Sequence, residues 1–338
     1  MVTLSTLWFL LIGVLLTGFL FLEGFDFGVG ALVPFVADSD EERQIAIGTI
    51  GPVWDGNEVW LLTAGGAMFA AFPYWYATMF SGFYLALFLV LVCLIVRGVT
   101  FEFRNKQHTK KWRNNWDYAL SISSLLCAIL FPVAFANLIG GTPLDLVNGR
   151  LDFVGSFFDL LTPFTLLAGL AGASFMLYHG SVYLALKASG NVATKSIKLG
   201  SRLATLTIVL VLAFAGLCAV TKGFGKPVSV GFFAVALLAL LGSYFQFKNG
   251  KYGAALILNG FVVICAMGAL FAGLFPYVML SSIDASTLSL SIENASSSPY
   301  TLKIMTYATL ILLPIVLICQ IWSFKVFKDR VSAKTVKY

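Results

Sequence analysis

Four acidic residues lie inside two apolar segments of this 338-residue sequence. They form two pairs, Glu23 with Asp26 and Asp55 with Glu58, whose members are three residues apart. Because residues three apart lie on one face of a helix, each pair predicts two neighbouring carboxyl groups. A charged side chain at the centre of a membrane costs about 2.5 to 3.5 kcal/mol on insertion scales. Acids in such positions indicate a function, and proton or ion transfer is the chemistry that fits.

The functional interpretation is a polar cluster, open to the cytoplasm, that conducts protons or binds ions. A low-dielectric site favours the protonated form of a carboxyl group, which suits such groups to relaying protons. The structural alternative is that the acids lie at the interface, cap helices or pair with Arg97, Arg104 or Arg43. The functional interpretation is favoured more for the two aspartates than for the two glutamates.

Histidine and cysteine give little support for a metal or redox centre in the chain itself. His108 lies in a basic loop, and His179 lies in an apolar segment, where a hydrogen-bonded role is expected. A membrane haem usually takes two axial ligands, so His179 could serve one haem at most. The five cysteines stand singly without metal-ligand spacing. Motifs of phosphate-binding loops, serine hydrolases and zinc proteases are also missing from the sequence.

Composition identifies the elements that must hold these acids. The sequence is 59% hydrophobic and 11% charged, whereas soluble domains carry roughly 25% charged residues. An all-α polytopic membrane protein is therefore predicted, as one membrane domain. The net charge of +6 is split among short loops, which argues against a nucleic-acid partner. The sequence predicts about nine transmembrane spans, near 7–36, 50–72, 78–101, 118–139, 163–186, 203–220, 228–247, 254–275 and 302–325.

Basic residues give these spans a direction. With nine spans, 18 of the 22 Lys and Arg residues fall on one side. The positive-inside rule makes that side cytoplasmic, so the N-terminus is predicted outside and the C-terminus inside. The first span lacks signal-peptide features and is expected to be retained. At about 1.5 Å per residue, Asp26 lies roughly 28 Å into the first span, which enters from outside near residue 7. By the same rise, Asp55 lies about 8 Å into the second span, which enters from inside near residue 50. Both acidic pairs are therefore predicted in the cytoplasmic half of the membrane.

The first span is also rich in glycine towards its cytoplasmic end, at Gly24, Gly28 and Gly30. Such a helix is expected to tilt, bend or break there.

Several motifs, in order along nearly the whole chain, resemble those of subunit II of cytochrome bd-type quinol oxidases. The longest is GPVWDGNEVWLLTAGGAMFAAFP at 51–73, and a second is EGFDFGVG at 23–30. Shorter matches lie at 80–84, 97–104, 112–117, 275–279 with 281–282, and 321–322.

The resemblance implies a fold of two four-helix bundles and a peripheral ninth helix. It also implies a role in the bacterial cytoplasmic membrane, where such oxidases take electrons from quinol and reduce oxygen to water with cytoplasmic protons. Haems b and d belong to the partner, subunit I, so no cofactor is expected on this chain. A small single-span third subunit, and a quinone or lipid bound to this subunit, are left open.

The resemblance also assigns roles to individual residues. Asp26 and Asp55 match acidic positions of the family's proton route. Glu23 and Glu58 stand at more variable acidic positions, and Val53 replaces a histidine that some members carry.

Five further residues in the matching motifs are expected to support the site or contact the partner: Trp54, Asn57, Trp60, Arg97 and Glu102. For Trp54 and Trp60, anchoring at the membrane interface is the alternative.

A stand-alone secondary transporter is the rival hypothesis. Two glycine-interrupted acidic motifs resemble the broken helices of transporter sites. The C-terminal half lacks a corresponding acidic pair, which argues against this alternative.

Overall fold

The computed structural model describes residues 3–221 and 225–333. Lys222, Lys334 and Lys337, three basic residues of the predicted charge asymmetry, lie outside the described residues. The helices are α1 (Leu4–Val36), α2 (Asp40–Ile50), α3 (Trp54–Ala71), α4 (Pro73–Gly82), α5 (Tyr84–Phe103), α6 (Lys110–Gly140), α7 (Pro163–Lys187), α8 (Gly190–Thr221), α9 (Pro227–Lys248), α10 (Tyr252–Leu274) and α11 (Pro299–Val326).

Helix starts follow local capping chemistry. The side chains of Thr3, Ser39 and Thr109 each accept a hydrogen bond from an amide N–H in the first turn of α1, α2 and α6. Such caps satisfy donors that have no partner within the helix. Pro163 and Pro299 occupy the first turn of α7 and α11, where their missing N–H costs nothing.

Seven of the described helices are long and apolar enough to cross a membrane, namely α1, α5, α6, α8, α9, α10 and α11. This confirms the all-α membrane class. Helices also occupy the predicted second and fifth segments, but α3 and α7 carry more glycine and polar side chains. The count of nine spans therefore stays a prediction.

Several helix boundaries differ from the apolar segments. The predicted segment 78–101 is divided, because α4 ends at Gly82 and α5 begins at Tyr84. Helices α6 and α8 begin 8 and 13 residues before the apolar segments at 118–139 and 203–220, through polar turns that hydropathy does not detect. Helix α2 was not predicted, because its sequence is acidic and short.

Helix α1 lies at the centre and packs against α3, α6, α7 and α10. Its glycine-rich end does not break. Instead, Gly28 meets Gly180 of α7 backbone to backbone, and Gly30 lies against Ser124 of α6. The missing side chains let three helices approach closely, as small residues do in membrane bundles.

Two long loops at one end of the helices fold together. One contains a hairpin of β1 (Leu144–Val147) and β2 (Arg150–Phe153), and the other pairs β3 (Tyr277–Met279) with β4 (Leu290–Ser291). A bridge between Thr142 and Ser281 joins the loops. They lie at the end opposite to the acidic α2.

Candidate functional site

An ion pair between two helices lies at the centre of the candidate site. Arg97 of α5 donates a hydrogen bond to Glu23 of α1, and neither side chain is exposed. Taking two charges out of water is costly, so the pair persists only because each charge compensates the other. The guanidinium also lies 4.8 Å from the centre of the Phe27 ring and 5.9 Å from that of Phe101, so its surroundings are otherwise apolar.

The second acidic pair reaches the same arginine from α3. A Glu58 oxygen lies 3.8 Å from Arg97 Nη1, and its side chain is 21% exposed. Asp55, one turn earlier on α3, points outward and is exposed. The two acids therefore lead from the surface of the chain towards the buried ion pair.

Asp26 lies fully buried one turn after Glu23 and has its own hydrogen-bond partner. Asn57 Nδ2 of α3 donates to Asp26 Oδ2 at 2.7 Å. Gln320 Nε2 of α11 in turn donates to Asn57 Oδ1 at 3.0 Å. Three helices thus converge on one carboxyl group, and the sequence alone gave no indication of Gln320.

Several polar atoms of the cluster have no hydrogen-bond partner among the described residues. They are one oxygen each of Glu23, Asp26 and Glu58, and the Nε and Nη2 atoms of Arg97. Buried polar atoms are almost always paired with protein or ordered water. Glu23 and Asp26 are both buried and lie one turn apart on α1, so their carboxyl groups are neighbours on one helix face. Such an arrangement can hold a proton between carboxyl groups and pass it along bound water.

Aromatic side chains surround the polar cluster. The Trp54 ring stacks on Phe101 of α5, with centroids 4.9 Å apart and planes 15° apart. The Trp60 ring lies directly against Gly18 of α1. Both tryptophans therefore join α3 to its neighbours within this chain.

The structure thus brings together Glu23, Asp26, Asn57, Glu58 and Arg97. It leaves Asp55 on the outer face of α3, and it leaves Glu102 exposed near the end of α5.

Arg104 and Arg43, the other predicted partners for the membrane acids, pair elsewhere. Arg104 Nε donates to Asp117 Oδ1 at 2.5 Å and its Nη2 to Asp40 Oδ1 at 2.6 Å, while Arg43 Nη1 lies 3.0 Å from Asp117 Oδ2. Arg113 also pairs with Asp40. This network, missed by the sequence reasoning, joins α2 to the ends of α5 and α6.

Glu42 closes the first turn of α2 beside this network. Its carboxylate accepts hydrogen bonds from the Asp38 amide at 2.6 Å and from Asn191 at 2.8 Å. The hydrogen bond from the Asp38 amide, and to a lesser extent that from Asn191, favours the charged form of the Glu42 carboxyl group. Together they lower the pKa of Glu42 below its ordinary value.

His179 takes part in a separate polar chain inside the other helices. His179 Nε2 lies 2.9 Å from the Phe21 carbonyl oxygen, and Asn259 lies 3.2 Å from its Nδ1. Ser243 connects Asn259 to Tyr178 by bonds of 2.7 and 2.8 Å. Both ring nitrogens thus have partners. Among the residues described, no three His, Cys, Asp or Glu side chains group as a metal site would require.

Residues 4–327 match the family model for cytochrome bd terminal oxidase subunit II. The chain is 39% identical over 337 residues to cytochrome bd ubiquinol oxidase subunit 2 of Bacillus subtilis, covering 99% of this chain and 98% of that protein. It is 33% identical over 368 residues to cytochrome bd-I ubiquinol oxidase subunit 2 of Escherichia coli K12, covering 99% and 97%. Neither relative supports the transporter alternative.

A solved structure shares the fold. A chain of the bd oxidase from Geobacillus thermodenitrificans aligns with a TM-score of 0.70 at 12% identity, covering 96% of this chain and 99% of that one. At this identity the likeness concerns the fold alone.

Proposed function

The chain belongs to the cytochrome bd terminal oxidase subunit II family, and we propose that its buried acids form part of a proton route serving the oxidase. As a member of this family it is a subunit of a quinol oxidase complex in a bacterial membrane. The reaction takes electrons from quinol and reduces oxygen to water, which consumes protons. The finer proposal concerns which residues of this subunit carry these protons.

The observation that carries the proposal is the cluster of Glu23 and Glu58 around Arg97, with Asp26 buried one turn after Glu23. One oxygen of each carboxyl group has no hydrogen-bond partner among the residues that the structure describes. One acid, Glu23, is enough to balance the charge of Arg97. Charge balance therefore does not explain the two additional acids, Asp26 and Glu58. Surplus carboxyl groups that meet along a path are suited to accept and release protons.

The path is proposed to open at Asp55. This residue lies on the exposed side of α3, one turn from Glu58, and Glu58 lies beside Arg97. From there the acids continue through Glu23 to Asp26. The excess of basic residues at the same end of the helices supports a cytoplasmic entrance, with the N-terminus outside and the C-terminus inside.

The exposed face of α3 is the proposed contact with the haem-bearing subunit I. Asp55, Val59, Leu62, Gly66 and Phe69 lie along one stripe of the helix and are all exposed in this chain. A carboxylate facing lipid would be costly, so a partner helix is expected to cover it. Gly66, the small residue of this stripe, allows a close approach.

The remaining motif residues have supporting roles in this proposal. Asn57 orients Asp26, and Arg97 balances the acids. Trp54 and Trp60 hold α3 against α5 and α1, and Glu102 is a candidate partner contact at the exposed end of α5.

The architecture we propose has nine spans. Helices α1, α3, α5 and α6 would form one four-helix bundle, α7 to α10 the second, and α11 the peripheral helix. Helix α7 packs with α8 and α9 with α10, but α7 also packs closely against α1 and α6 of the first bundle; the separate position of α11, which contacts chiefly α1 and α3, is what supports its peripheral place.

Cofactors are proposed to lie outside this chain. The family resemblance assigns haems b and d to subunit I, and the two hydrogen-bond partners of His179, the intramembrane histidine of this chain, are consistent with that assignment. A small third subunit, and a quinone or lipid bound to this subunit, remain predictions.

The proton route is tested by replacing each aspartate in the intact complex. Asp26→Asn and Asp55→Asn should lower oxygen-dependent quinol oxidation by about tenfold or more, as loss of a proton-transferring group commonly does. Asp145→Asn, on the exposed β1–β2 hairpin, is the matched control. Haem absorption of the purified complex verifies assembly.

Normal turnover and normal charge uptake in both variants would exclude the proton route. Loss of all haem from the complex would instead assign the aspartates a structural role.

A further inference from the structure

A cavity of ≈ 300 Å³ opens between α1, α7, α10 and α11. Its walls are apolar and aromatic over most of their area, with Phe21 and Phe25 from α1, Leu256 from α10 and Phe324 from α11. Phe25 stacks on Tyr183 with ring centroids 4.0 Å apart, so the two rings form one continuous aromatic wall. The volume is at the lower end of the range for small-molecule sites.

Two lysines line the same cavity at the end where α7 and α11 terminate. Lys187 is the last residue of α7, and Lys328 follows α11. Lys187 Nζ donates to the carbonyl oxygens of Phe327 and Asp329, the latter at 3.0 Å. Lys328 is exposed, and among the described residues it forms no hydrogen bond or ion pair.

The segment that carries Lys328 is held in place against α7. Val331 donates its amide N–H to the Lys187 carbonyl at 2.7 Å, and Arg330 Nε donates to the Leu186 carbonyl at 3.1 Å. The charges nearby are Lys187, Lys328 and Arg330 against the single carboxylate of Asp329. The mouth of the cavity therefore has a net positive charge from side chains on an anchored backbone.

We propose that this cavity binds one acyl chain of an anionic phospholipid, whose phosphate is held by Lys328 at the mouth. The apolar walls match a hydrocarbon chain, and the exposed ammonium group of Lys328, which has no partner among the described residues, matches a phosphate. A basic pocket between membrane helices is where an anionic headgroup gains most over a neutral one. An uncharged quinone would use the apolar walls but would leave the lysine without a partner.

The inference deepens the prediction of a lipid on this subunit and rests on the proposed placement of these helices in the membrane. Its readout is lipid binding, which is independent of the proton route. The purified oxidase complex is delipidated and titrated with dioleoylphosphatidylglycerol or dioleoylphosphatidylcholine, and bound lipid is counted by native mass spectrometry. Three variants are compared with the parent: Lys328→Glu, Leu256→Trp, which fills the cavity, and Lys325→Glu, the control on the last turn of α11.

The expected result is one saturable phosphatidylglycerol per complex that phosphatidylcholine does not replace. Lys328→Glu should weaken it about fivefold or more, Leu256→Trp should abolish it, and Lys325→Glu should leave it unchanged. Equal phosphatidylglycerol binding in the parent, Lys328→Glu and Lys325→Glu would overturn the proposal. Loss of bound quinone rather than phosphatidylglycerol in Leu256→Trp would also overturn it.

Discussion

Arg97 of α5 and Glu23 of α1 form an ion pair in which neither side chain is exposed, and Glu58 of α3 lies 3.8 Å from the same guanidinium. One buried cation thus faces two acids from two other helices. The three helices are held together electrostatically as well as by packing. The loss of stability on replacing one of these three residues therefore depends on which charges remain buried without a partner.

Arg97→Gln should destabilise the complex strongly, because it leaves buried acids without their counter-charge. Breaking a buried pair from one side costs about 3 to 5 kcal/mol. Thermal unfolding of the purified complex measures the effect. The double variant Glu23→Gln with Arg97→Gln should recover much of the loss, since a neutral pair replaces an uncompensated charge. A double variant as unstable as the single one would contradict this account.

Asn57→Leu should destabilise the complex more than Gln320→Leu does. Asn57 both donates to Asp26 and accepts from Gln320, whereas Gln320 serves only Asn57 in this chain of hydrogen bonds. A buried polar group left without a partner costs about 1 to 3 kcal/mol. The two variants are compared by thermal unfolding, with turnover measured in parallel. If Gln320→Leu lowers the thermal stability as much as Asn57→Leu does, Asn57 is not the central member of this chain of hydrogen bonds.

Sequence reasoning located the helices because long apolar runs are required by lipid and are visible without an alignment. It also placed each acidic pair on one helix face, since the spacing of three residues fixes that relation. It could not determine how each helix is rotated towards its neighbours. That rotation separates buried Asp26 from exposed Asp55, although the two have the same residue type in similar motifs.

Partners distant in sequence were beyond prediction for the same reason. Three arginines, Arg97, Arg104 and Arg43, were left open as partners for the acids, and only packing selects Arg97 and directs Arg104 to Asp117. Gln320 is 263 residues from Asn57. The glycines of α1 were expected to mark a tilt, bend or break, whereas Gly28 provides close contact with α7.

Gly66→Leu should weaken assembly with the haem-bearing subunit without unfolding this chain. A Cβ added at Gly66 meets no atom of the described residues within 4 Å outside its own stretch of helix, and the residue lies on the exposed stripe of α3. Gly216→Leu on α8 is the matched control, since it is also helical, exposed and without neighbours within 4 Å. Co-purification of the haem-bearing subunit measures assembly.

Equal recovery of that subunit with both leucine variants would remove α3 from the interface. Loss in Gly216→Leu alone would place the interface on the other bundle.

Asp117→Asn should destabilise the complex much more than Asp38→Asn. Asp117 is 2% exposed and binds both Arg104 and Arg43, so its replacement leaves the buried guanidinium of Arg104 with Asp40, whose side chain is 41% exposed, as its remaining acidic partner. That change costs about 3 to 5 kcal/mol by the general cost of breaking buried pairs. Asp38 pairs with Lys195 on the surface, with 76% of its side chain exposed, and such pairs contribute about 0 to 1 kcal/mol. Thermal unfolding at low and high salt separates the cases, because salt screens the surface pair more. Similar losses in the two variants would mean that water compensates Arg104, and the network would then not be what fixes α2 to α5 and α6.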